Sequence, residues 1–185
     1  MTQEADPGRL AGLILAGGRS ARMGQDKASL EWQGETLLDR ARALLRATGV
    51  DAIHVGGRPD EIDGLPDSEP HAGPARAILD ATRLLRGQFQ RLLIIPVDMP
   101  LLGPAQLTPL LAAAPGQACH WQDQPLPALI PIEACDRLHD EDIHSIKRLL
   151  ATLNAKALAL PPTGPRDPFI NINTPDALAA LKRQS

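Results

Sequence analysis

Leu13-Ile14-Leu15-Ala16-Gly17-Gly18-Arg19-Ser20-Ala21-Arg22-Met23-Gly24-Gln25-Asp26-Lys27 is a short apolar run that breaks into a glycine-rich loop carrying two arginines and a lysine. The pattern reads as a strand feeding a phosphate cradle. Gly17 and Gly18 lack a Cβ, so their backbone can adopt positive φ and bring N–H groups close to a ligand. Successive N–H groups in such a turn make an anion-binding concavity, to which Arg19, Arg22 and Lys27 add full positive charge. An ordinary strand-to-helix loop can also hold a Gly-Gly pair; the three cations directly after an apolar strand favour the cradle. Neither standard nucleotide motif fits. Lys27 lies three residues beyond Gly24 and is followed by Ala28, which breaks the P-loop pattern, and no G-x-G-x-x-G occurs.

Around this stretch, strands and helices alternate. Leu10 to Leu15 is a near-continuous apolar run of the kind buried on both faces of a parallel sheet. Thr36 is placed to cap a helix whose apolar face is Leu37, Leu38, Ala41, Leu44 and Leu45, stopped at Gly49. Ala52 to Val55 reads as the second strand, and Gly56 to Pro74, rich in Gly, Pro, Asp and Glu, as an irregular loop. Pro74 suits a first helical turn, continued by Ala75 to Leu85. Arg91 to Val97 is the strongest strand signal and runs into Asp98-Met99-Pro100; Gln106 to Ala113 is the next helix. Ala118 to Trp121 and Leu126 to Ile132 flank a polar turn and suggest a hairpin-like or antiparallel excursion. His144 to Leu153 reads as helix, Ala155 to Leu160 as strand, 161–165 as a proline-rich loop, Phe169 to Pro175 as a short alternating strand, and Asp176 to Leu181 as a final helix. Such alternation predicts a parallel α/β sheet with right-handed connections.

A length of 185 residues is most simply one domain, 1–185, with 1–8 a flexible N-terminus. Net charge is −3 and aromatics are 2% of residues, which argues against a nucleic-acid surface built on basic patches and stacking rings. Two cysteines, Cys119 and Cys135, lack zinc or redox spacing and read as buried free thiols of a cytoplasmic protein. The N-terminal apolar run is too short for a membrane span and lacks a signal-peptide pattern, so no membrane partner is expected. His120, His139 and His144 show no ligand spacing.

The opening stretch resembles the signature L-A-G-G-x-x-x-R-M-G-x-D-K of the molybdenum cofactor guanylyltransferases. That resemblance implies a single-domain Rossmann-like α/β fold of the nucleotide-diphospho-sugar transferase kind, a mostly parallel sheet with helices on both faces. It implies transfer of GMP from GTP to molybdopterin with release of pyrophosphate, magnesium as cofactor, and molybdenum-insertion and molybdoenzyme chaperone proteins as partners. Leu15, Ala16, Gly17, Gly18, Arg19, Lys27, Asp67 and Asp98 would bind the nucleotide, with Arg22, Lys27 and Asp98 catalytic. Asp98, in Pro96-Val97-Asp98-Met99-Pro100, matches the family's metal-binding Asp-x-Pro after a hydrophobic strand; a carboxylate at a strand's carboxyl end suits Mg²⁺, though an Asp opening a turn would look alike. Asp67 is either a nucleotide contact or one of several loop acids.

Asn171-x-Asn173-Thr174-Pro175 matches the family's N-x-N-T-P on the pterin side, so Asn171 and Asn173 would bind the acceptor; a helix-capping turn is the other reading. The chain departs from the family in three places. Ala75, Arg76 and Ala77 replace the end of Gly-Pro-Leu-Ala-Gly, Val55-Gly56-Gly57-Arg58 stands where relatives carry an asparagine, and Gln124 replaces His in His-Pro-x-x-Ala-Leu. A cytidylyl or sugar-phosphate nucleotidyltransferase, or a non-catalytic nucleotide-binding module, are the alternative functions.

Overall fold

The computed structural model describes residues 8–17, 26–69, 72–138, 143–160 and 166–183. The central strand is β1 (Leu10–Leu15), and it pairs in parallel with β4 (Ala52–Gly56) on one side and β6 (Arg91–Pro96) on the other. Beyond β4 lies β5 (Gly64–Leu65); beyond β6 lie β8 (Gln124–Pro131), β7 (Cys119–Trp121) and β9 (Lys156–Leu158), giving the order β5-β4-β1-β6-β8-β7-β9. Only β8 runs against its neighbours, β6 and β7, while β7 and β9 pair in parallel. The sheet is therefore mostly parallel. A two-stranded ribbon, β2 (Glu31–Trp32) with β3 (Glu35–Thr36), stands apart from it.

Side chains alternate across the sheet and divide the core in two. Leu10 and Ile14 of β1 join Leu93 and Ile95 of β6 on the face covered by α1 (Leu37–Ala47), α3 (Pro104–Leu111) and α5 (Pro175–Arg183). Ala11 and Leu13 join Leu92 and Ile94 on the face covered by α2 (Pro74–Leu85) and α4 (Ile146–Thr152). This period of two, with both faces buried, explains why β1 and β6 are apolar throughout. Each fully buried leucine or isoleucine contributes about 1.5–3 kcal/mol. Helix α1 begins where its sequence says it should: Thr36 Oγ1 accepts the Asp39 N–H at 3.0 Å, and Gly49, at φ 76°, ends the turn beyond it. Among the described residues no helix is long and apolar enough to cross a membrane.

Several local expectations are corrected. The stretch 56–74 is not wholly irregular, because β5 pairs Gly64 with Val55 and Leu65 with Gly56. Two residues carry no readable periodicity, and the strand is held by tertiary groups: Arg42 of α1 grips Asp63 through Nε (3.1 Å) and Nη2 (2.6 Å). The segment 169–175 forms no strand; Phe169 and Ile172 are buried in the core, and the Ile172 N–H donates to the Asp98 carbonyl at 2.8 Å instead of joining a ladder. The β2–β3 turn, Gln33-Gly34 with both φ positive (54° and 82°), is a hairpin connection of the type that suits the twist of paired strands. Residues 1–7 of the expected N-terminal tail and the 161–165 loop lie outside the described residues.

Candidate functional site

The carboxyl ends of β1, β4, β5 and β6 share one edge, since the four run parallel. At that edge the exit of β1 is tied on both sides: the Val97 N–H donates to the Leu15 carbonyl at 3.1 Å, and the Ala16 N–H to the Gly56 carbonyl at 3.2 Å. Gly17 and Gly57 then cross backbone to backbone. A Cβ on Gly57, which sits at φ +79°, would fall 2.3 Å from the Gly17 Cα, and one on Gly17 would fall 2.8 Å from the Gly57 Cα. Both positions therefore need glycine for close approach.

Lys27 opens a 3₁₀ turn, Lys27–Ser29, capped by Asp26, whose carboxylate accepts the Ala28 N–H (3.1 Å) and the Ser29 hydroxyl (2.9 Å) and pairs with Arg58. Ala28 is buried beneath, so the turn is fixed and Lys27 projects to the sheet edge. Its ammonium donates to Asp98 Oδ2 at 2.8 Å and to Asn173 Oδ1 at 2.5 Å. Residues 27, 98 and 173, from three distant parts of the chain, thus meet at one nitrogen. Lys27 and Asp98 border a cavity of about 330 Å³ whose lining also includes Leu15, Ala16, Gly17, Asn171 and, at the start of β8, Gln124, Pro125 and Leu126. A second cavity of about 240 Å³ lies between α1 and the 95–104 segment. It lacks the glycine loop and the Lys27–Asp98 pair, so the chemistry belongs to the first.

Among the described residues Asp98 is the one carboxylate lining that cavity. Among the described residues no three His, Cys, Asp or Glu side chains converge as a metal cluster. A divalent ion would therefore be held in the manner Mg²⁺ favours, by a single carboxylate with phosphate oxygens and water. Asp98 fits: its side chain keeps 18% exposure, and among the described residues only Oδ2 is engaged, by Lys27.

Asp67 lies two residues beyond the end of β5, at the same edge, but does not line the cavity. Its neighbour Ser68 is anchored by Asp80, a residue that sequence reading passed over: this buried α2 carboxylate accepts the Ser68 N–H (2.9 Å) and hydroxyl (2.8 Å), and pairs with Arg83 at 3.2 Å. An acid at an apolar helix position between Leu79 and Ala81 was the available signal. Arg76, one of the family departures, donates from Nε to the Ser68 hydroxyl at 3.0 Å, so it supports the same loop. Gly18, Arg19 and Arg22 lie outside the described residues.

Further from the site, burial pushes the Cys119 and Cys135 thiols up to about 11, and both are free. Burial alone would raise the Asp63 carboxyl, but the Arg42 guanidinium more than offsets it and holds it below the usual carboxylate range. The Nδ1 of His120 faces the Trp121 carbonyl at 2.8 Å and the Gln124 carbonyl at 3.1 Å, a structural role at the β7–β8 turn.

Residues 12–158 match the family model described as a MobA-like NTP transferase domain. The molybdenum cofactor guanylyltransferase of Xanthomonas euvesicatoria is 35% identical over 184 residues, covering 92% of this chain and 93% of that protein. That of Rhodobacter capsulatus is 34% identical over 179 residues, with 92% and 94% covered. Among solved structures, the molybdopterin-guanine dinucleotide biosynthesis protein A of Archaeoglobus fulgidus superposes with a TM-score of 0.66 at 21% identity, covering 94% of this chain and 97% of that one. Rv0371c of Mycobacterium tuberculosis, in complex with manganese, gives 0.66 at 19% identity, with 96% and 100% covered. At these identities the structures attest the fold.

Proposed function

Because the chain belongs to the MobA-like NTP transferase domain family, we propose that it is a nucleotidyltransferase that transfers GMP from GTP to the terminal phosphate of molybdopterin and releases pyrophosphate. The names of the curated relatives support this substrate pair. The observation in the chain itself that carries the reading is the Lys27 ammonium, held by Asp98 at 2.8 Å and Asn173 at 2.5 Å beside the Gly17 backbone.

The reaction needs no nucleophile from the protein. An oxygen of the acceptor phosphate attacks the α-phosphorus of GTP, the bond from that phosphorus to the bridging oxygen breaks, and its electron pair leaves with pyrophosphate. Catalysis of this kind rests on positioning and on charge placed where negative charge builds. In this assignment Leu15, Ala16, Gly17 and Gly18 bring backbone to the triphosphate, Arg19 and Asp67 complete the nucleotide side, and Arg22 and Lys27 face the phosphates. A divalent cation held by Asp98 supplies Lewis-acid charge to the triphosphate when bound; magnesium is our choice. Asn171, which lines the same cavity as the Gly17 backbone, serves the pterin in this assignment.

Two free, buried thiols suit a cytoplasmic enzyme, and molybdenum-insertion and molybdoenzyme chaperone proteins are the partners such a product would pass between. Pyrophosphate release measured with GTP, with molybdopterin and with both tests the reading. Release should require both; release from GTP alone at the same rate, or none with both, would overturn it.

A further inference from the structure

We propose that Asn173 is a positioning residue for Lys27, whatever contact it also makes with the acceptor. This rests on the reading of Lys27 as the cation that faces the phosphates.

An ammonium has three donors and no acceptor. Two of those of Lys27 are accounted for by Asp98 Oδ2 and Asn173 Oδ1. Among the described residues nothing takes the third, and Lys27 lines the cavity together with Gly17. A lysine on a flexible four-carbon stem held at one point can swing; held at two, it presents its remaining N–H in one direction. The second anchor is itself rigid. Ile172 is fully buried, and its N–H donates at 2.8 Å to the carbonyl of Asp98, the residue whose side chain is the other anchor. On the other flank Thr174 starts α5, its hydroxyl accepting the Ala177 N–H at 3.2 Å and its carbonyl the Leu178 N–H at 3.2 Å. Helix capping is therefore done by Thr174, and the Asn173 side chain is turned to the lysine. The arrangement would matter most during turnover, when Asp98 would share its charge with a divalent ion and Asn173 Oδ1 would remain as the neutral anchor of the ammonium.

The test is a double-mutant cycle on kcat, measured as pyrophosphate release at saturating GTP, acceptor and magnesium. Asn173→Ala should lower kcat about tenfold with the KM for GTP within twofold, and should have no further effect on kcat in a Lys27→Ala background, because residues that act as one unit are not additive. Asn173→Asp keeps an oxygen for the ammonium and should retain kcat within about threefold. In the unliganded protein, acetylation of Lys27 followed by mass spectrometry should run faster in Asn173→Ala than in the wild type. An Asn173→Ala variant that only raises the KM for the acceptor, or whose loss multiplies with that of Lys27→Ala, would overturn the proposal. A Lys27→Ala variant with wild-type kcat would instead remove the reading of Lys27 beneath it.

Discussion

Replacing Gly57 by alanine should separate catalysis from stability. At φ +79° a side chain costs about 1–2 kcal/mol in backbone strain. The new methyl would also lie 2.3 Å from the Gly17 Cα, whereas ordinary contact begins at 3.4 Å, so one loop must withdraw by about 1 Å. What it would push is backbone in the wall of the cavity, directly before the cations of the glycine-rich loop. A misplacement of about 1 Å in a positioning element can cost on the order of 100-fold, which sets the expected fall in kcat/KM for GTP. Stability should fall by only about 1–3 kcal/mol, a few degrees of Tm for each kcal/mol at this length. Gly49→Ala is the control. Its φ is +76° and nothing lies within 4 Å of the added Cβ, so it should show the backbone cost in a thermal melt and keep its turnover. Gly57→Ala with wild-type kcat/KM, or an equal activity loss in Gly49→Ala, would refute the claim that close backbone approach shapes this site.

Asp98→Asn should remove most activity at saturating Mg²⁺ while its melting curve stays near that of the wild type, since the side chain sits at a strand end and not in the core. Lys27→Ala should act on kcat more than on the KM for GTP, by about 2–4 kcal/mol in the barrier, because a cation facing charge that builds in the transition state lowers the barrier more than it tightens the ground state. Cys119 and Cys135 should resist iodoacetamide at pH 8 in the native protein and react on unfolding, as burial pushes both thiols up to about 11. The same shift has a stability consequence: unfolded thiols ionise first, from their ordinary value of 9.0, so stability conferred by these two groups is intact below that pH and is lost as pH rises from 9 towards 11.

The parts of the molecule legible in the sequence are those whose cause is local. β1 and β6 are unbroken apolar runs because both faces are covered, and Thr36 and Gly49 mark the ends of α1 through their own side chain and φ. Asp98 could be found because it directly follows the strongest strand, and Lys27 because it closes a glycine-rich stretch. What escaped reading depends on residues far apart in the chain. β5 exists because Arg42 holds Asp63, and segment 169–175 gives up its strand-like alternation to bond the backbone of Asp98. The Lys27–Asn173 contact spans 146 positions, and the Gly17–Gly57 crossing leaves no mark but two glycines. Asp80 is buried among apolar neighbours on α2 because Ser68, Arg76 and Arg83 satisfy it, a balance that no local pattern encodes.

The most direct test of the whole account offers the enzyme molybdopterin and Mg²⁺ with equal concentrations of GTP and CTP, and weighs the product by mass spectrometry. The guanine dinucleotide should be the dominant product, formed in a one-to-one ratio with pyrophosphate and lost in Asp98→Asn. A cytosine dinucleotide in equal or greater amount would contradict it, as would nucleotide binding with no dinucleotide at all.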